Sequence, residues 1–148
     1  MTESPRRPVR ITLVALLMLC GGLWNALRLE QALVFWKTLA GYHLRPGPAY
    51  LALSGALWML AGLALCFGLW TGKRWSRWAA VSVCGLYFVW YWVDRLAAQL
   101  PHLNWPFALG VDLLTLALVQ LALNTPATEH FLRQKEAYER RSKDQSPA

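Results

Sequence analysis

Apolar residues in this chain run in long blocks rather than alternating. Residues 49–70, AYLALSGALWMLAGLALCFGLW, are 22 residues without a charge, and a helix needs about 20 to cross a bilayer. Residues 11–27, ITLVALLMLCGGLWNAL, are also uncharged and reach the lower limit of about 17. Two further blocks fall short: residues 78–93 give 16 and residues 113–123 give 11. A helix ending inside hydrocarbon leaves backbone groups unpaired. The third crossing therefore continues through Asp94 and Arg95, and the fourth runs back through Asp112 to Pro106. The pattern predicts an all-α integral membrane protein, a four-helix up-down bundle forming one membrane domain over residues 1–148. Its spans fall at 10–28, 49–70, 77–97 and 106–123, with solvated or disordered ends at 1–8 and 142–148.

The connections refine this. In residues 29–40, Leu29, Ala32, Leu33, Trp36 and Ala40 recur at helical spacing. Either the first span continues outward or a short helix lies along the outer surface. Gly41 suits a helix stop, Pro48 the first position of the second span, and Asn104 or Trp105 the cap of the fourth. After Asn124, the spacings Glu129–Arg133 and Glu136–Arg140 favour a short cytoplasmic helix, read as mostly solvated, to about Arg141.

Composition supports the membrane reading. Of 148 residues, 56% are hydrophobic and 16% charged, and nine are tryptophan. Soluble domains carry about 25% charge, and Trp gathers at membrane boundaries. Arg6, Arg7 and Arg10, then Lys73, Arg74 and Arg77, then Arg133, Lys135, Arg140, Arg141 and Lys143 lie on one side. Arg28, Lys37, Arg45 and Arg95 lie on the other. Basic residues near span ends stay cytoplasmic, so both termini are placed inside, in a bacterial inner (plasma) membrane. Bulky Leu23 and Trp24 precede Asn25, where a signal peptidase requires small residues, so the first span reads as an uncleaved anchor. The net charge of +7 then reflects topology and anionic headgroups. It does not call for nucleic acid, and the partners expected are the bilayer, a membrane protein or a second copy.

Candidate chemistry is sparse. At 1.5 Å per residue, Arg28 lies about 27 Å along the first span. Asp94 and Arg95 lie about 24 and 25 Å along the third, and Asp112 about 9 Å below the outer end of the fourth. With Glu30 at the rim, these residues form a charged slab just beneath the outer surface. Neighbours on a helix point apart, so cross-helix pairs are expected: Asp94 with Arg28, Arg95 with Asp112 or Glu30. Tyr87, Tyr91, Trp92 and Trp105 would line it. Intramembrane ionisable groups are functional by default, although at this depth a purely structural lock competes.

Cys20, Cys66 and Cys84 lie alone in separate spans. A relative of vitamin K epoxide reductase would need a redox dithiol. Small multidrug transporters resemble the chain in size and span number, but depend on a glutamate inside the first span, and Glu30 is too far along. DoxX-like proteins are similar in length and helix count, without a motif to match. His43 and His102 fall in outer loops, too few for a metal site. No cofactor, metal or catalytic group is implied. The sequence therefore reads as a non-enzymatic accessory or scaffold component. The alternatives are a small transporter or ligand-binding membrane protein using the charged cluster, and a quinone- or haem-associated redox subunit.

Overall fold

The computed structural model describes residues 7–41, 47–98 and 104–144. Among these the chain is all-helical: α1 (Val9–Val34), α2 (Trp36–Gly41), α3 (Pro48–Thr71), α4 (Arg74–Ala98), α5 (Trp105–Leu123) and α6 (Pro126–Asp144). Three helices, α1, α3 and α5, are long and apolar enough to cross a membrane. At 25 residues, α4 is about 37 Å long. Its Trp, Tyr and four charged residues make it less apolar than the others.

Local chemistry sets the ends. Pro8 takes an extended conformation before α1, because proline has no N–H to give a helix interior. Instead of stopping near Arg28, α1 runs to Val34, then breaks at Phe35 before the short α2. Residues 29–34 thus extend α1, and residues 36–41 form a separate short helix. Pro48 opens α3. Gly72 closes it at φ 73°, with Gly72 N–H on Leu69 O (3.2 Å) and Lys73 N–H on Gly68 O (2.9 Å). This paired closure needs a left-handed residue, which glycine takes without strain. Only Gly72 and Lys73 then separate α3 from α4, which begins at Arg74, three residues before the expected start of the third span at Arg77. Asn104 precedes α5 without capping it through its side chain.

Four of the long helices, α1, α3, α4 and α5, close a ring of contacts: α1 packs on α3 and α5, and α4 packs on the same two. The tightest seam joins α1 and α3. Gly22 meets Gly62 while Leu29 meets Gly55, so the two helices run antiparallel. A Cβ on Gly62 would lie 2.8 Å from Gly22 Cα. Small residues permit this approach, which replaces hydrophobic drive where the surroundings are lipid.

The densest core lies at the end where α1 begins. Ile11, Val14 and Ala15 pack with Leu65 and Leu69, Ala80, and Val119 and Leu123. Here α6 departs from its solvated reading. Phe131 and Leu132 are buried in the same cluster, and Thr128, also buried, donates to Ala122 O at 3.0 Å. Arg77 pairs with Glu129 at 3.6 Å and Arg74 with Glu136 at 3.3 Å. The helix also continues to Asp144, into residues expected to be disordered. Phe131 and Leu132 are adjacent apolar side chains that join Leu69 and Leu123 in the core, where α6 contacts α4 and α5. Arg7, assigned to a free end, instead donates to Trp70 O at 2.6 Å and lies 4.3 Å from its ring. Outside this core, Leu53, Leu57, Leu60, Leu114 and Leu121 stand outward and exposed, as lipid-facing positions do.

Candidate functional site

Away from the packed end, the ring opens around a partly enclosed cavity of about 190 Å³. All four helices of the ring line it. From α1 come Gly21 and Asn25, from α3 Trp58, from α4 Cys84, Tyr87 and Tyr91, and from α5 Asp112 and Thr115. Along α5 only Val119 and Leu123 are fully buried, while Asp112, Thr115 and Leu116 are half-buried at the cavity wall. Its walls are mostly apolar and aromatic. Trp58 packs edge-on against Tyr87 with ring centres 4.9 Å apart, and against Trp90 at 5.4 Å.

The polar groups at this cavity are incompletely bonded. Asn25 is 1% exposed. Its amide nitrogen donates to Gly21 O, one turn back, at 2.9 Å, but its Oδ1 has no partner among the described residues. Asp112 Oδ2 and the indole N–H of Trp58 are likewise buried and unpartnered, as is the N–H of Trp92 close by. The Trp92 indole lies toward the Asp112 carboxylate without closing a hydrogen bond. Leaving a buried polar group unsatisfied costs about 1–3 kcal/mol. Such groups are rare in native proteins, and each calls for an explanation such as strain, catalysis or a bound species.

The charged slab separates into two groups. Arg28 reaches Asp94 at 4.0 Å and lies over the Trp90 ring at 5.2 Å. Asp94 is 6% exposed, with the Tyr50 hydroxyl facing it. Trp90 donates to that hydroxyl at 3.0 Å, so α1, α3 and α4 are tied together at this level. Arg95 does not join Asp112 or Glu30 in an ion pair among the described residues. It donates to Tyr91 Oη at 2.7 Å and to Asn104 Oδ1 at 2.9 Å, and lies 5.8 Å from the Trp92 ring centre. The sequence argument assumed that charge seeks charge. Here neutral acceptors, one turn back on α4 and just before α5, capture the guanidinium. Asp112 keeps Arg95 within electrostatic reach without contact. Glu30 and Trp105 stand exposed outside the cavity. Of the predicted lining, Tyr87 and Tyr91 face the cavity and Trp92 sits behind Asp112.

Sequence reasoning did not place Asn25, Trp58, Cys84 or Thr115 at a site. The signal for Asn25 was present: a lone amide in an apolar run also costs free energy to strand in hydrocarbon, though less than an unpaired charge does. His43 and His102 lie outside the described residues, and no cluster of metal-ligating side chains occurs among the rest. No protein-family model, curated protein or solved structure matches the chain significantly.

Proposed function

We propose that this chain is a ligand-binding membrane protein of four spans, α1, α3, α4 and α5, in an up-down-up-down bundle with both termini cytoplasmic. Its site is the cavity inside the ring rather than the charge cluster at the outer edge. As the fourth span, α4 is long enough to cross, sits between α3 and α5, and turns Asp94 onto Arg28 instead of lipid. The distribution of Lys and Arg supports the orientation. Trp70, Trp75 and Trp78, exposed near Arg74 and Arg77, suit an inner aromatic belt.

The observation that carries the reading is Asn25 Oδ1, buried and unpartnered at the cavity. An accessory or scaffold subunit, the role the sequence favoured, gains nothing from a stranded amide and a hollow between its helices. A binding site does gain: its polar groups are satisfied when the ligand arrives. The cavity exceeds the roughly 150 Å³ that accepts a benzene ring.

The test is gentle purification of the full chain, followed by native mass spectrometry for retained small molecules. Gly21 lines the cavity and a Cβ there meets nothing within 4 Å, so Gly21→Leu adds bulk at the cavity wall without a clash at its Cβ. A molecule retained by the wild type and absent from Gly21→Leu supports the reading. Identical spectra from the two proteins oppose it.

A further inference from the structure

The chemistry of the ligand follows from which atoms are left unsatisfied. Two are acceptors, Asn25 Oδ1 on α1 and Asp112 Oδ2 on α5. One is a donor, the indole N–H of Trp58, which also lines the cavity. A ligand that satisfies this set must both donate and accept. A hydroxyl oxygen does both, while an ammonium group only donates and a ketone or ether oxygen only accepts.

Charge points the same way. Asp112 is already within electrostatic reach of Arg95, and Arg28 faces Asp94. The four groups balance, so a cationic ligand would add uncompensated charge in a low-dielectric place. The body of the ligand is set by the walls. Trp58, Tyr87, Phe88 and Tyr91 line the cavity, and aromatic faces of this kind favour ring stacking or edge contacts. About 190 Å³ accommodates one substituted ring.

We infer that the cavity binds a neutral, single-ring molecule carrying hydroxyl groups, of the phenol or hydroquinone class, with its hydroxyls between Asn25 and Asp112. This rests on the ligand-binding reading above and specifies its substrate class.

The experiment uses the full chain in lipid nanodiscs and fluorine NMR titration with three probes of one size. These are para-fluorophenol, para-fluoroanisole and para-fluorobenzylamine, with Gly21→Leu nanodiscs correcting for partition into lipid. The phenol should bind saturably and about tenfold more tightly than the anisole, the worth of roughly one net hydrogen bond. The amine should bind more weakly than the phenol. Asn25→Leu and Asp112→Leu, at separate helices, should each bring the phenol down toward the anisole. Circular dichroism and elution position check folding, and either variant alone suffices if the other fails to fold. If the anisole or amine equals or exceeds the phenol, the hydroxyl assignment is wrong while the cavity remains a ring site. If no probe distinguishes wild type from Gly21→Leu, both the assignment and the ligand-binding reading fall.

Discussion

Replacing Gly62 with alanine loads the tightest seam in the molecule. The new Cβ would sit 2.8 Å from both Gly22 Cα and Met18 O, and 2.9 Å from Gly22 N. These are backbone atoms, which cannot rotate aside. Carbon atoms prefer about 3.5–4.0 Å, so α1 and α3 must part by about 0.7 Å. A gap of that size forfeits about a quarter to a half of each atom pair's attraction of roughly 0.15 kcal/mol. Over a patch comparable to one buried leucine, about 40–60 pairs, the loss is about 1.5–4.5 kcal/mol. Better helix propensity of alanine returns about 1 kcal/mol, leaving a net destabilisation of about 2 kcal/mol. The partner glycine provides the control. A Cβ on Gly22 would meet its nearest atom at 3.4 Å, an ordinary contact, so Gly22→Ala should be neutral or stabilise by up to about 1 kcal/mol. Reversible unfolding of both variants in one detergent reads the difference. Equal losses from the two, or no loss from Gly62→Ala, would refute the packing described here.

Asn25→Leu removes a stranded carbonyl oxygen and one local hydrogen bond, and extends into the adjoining cavity. The protein should gain about 1 kcal/mol in the same unfolding assay while losing any retained ligand, the usual trade between stability and function. Gly72→Ala places a side chain at φ 73°, with its Cβ 3.1 Å from Lys135 Cγ, and should cost about 1–2 kcal/mol. The docking of α6 should fail in acid. Arg133 and then Arg77 hold the Glu129 carboxyl below its ordinary value of 4.5. Arg140 does the same for Glu136, with help from Arg74. Because the folded values are lowered, their contribution is present above pH 4.5 and is lost as pH falls through those values. Hydrogen exchange in residues 126–141 should therefore rise below pH 4.5 more than in α1. Equal rises in both would remove these pairs from the docking.

Much of the helical pattern was legible because hydrocarbon thickness dictates segment length. Residues 49–70 needed no further information, and Pro48 marked the start of α3. Only the fold could show that Gly62 meets Gly22 across the α1–α3 seam. Termini were read less well. The docking of Phe131 and Leu132 depends on a core shared with other helices, which no local pattern encodes, and the solvated reading of α6 weighed its charges over two adjacent apolar residues. For the candidate site, depth arithmetic brought Arg28, Asp94, Arg95 and Asp112 to one level but could not assign partners. Rotation about each helix axis decides those, and Arg95 found Tyr91 and Asn104. Asn25 escaped notice because the search weighed formal charge, whereas the cost of burial also falls on a neutral amide.

Thiol accessibility at position 25 bears most directly on a ring of helices enclosing Asn25. The background would carry Cys20→Ser, Cys66→Ala and Cys84→Ala, with Asn25→Cys as the only thiol, in nanodiscs open to water on both faces. A small neutral maleimide should react slowly, more slowly still when Gly21→Leu is added, and a bulky charged maleimide should not react. Rapid labelling by the charged reagent would put position 25 on an open surface, contradicting the enclosed cavity and the ligand chemistry drawn from it.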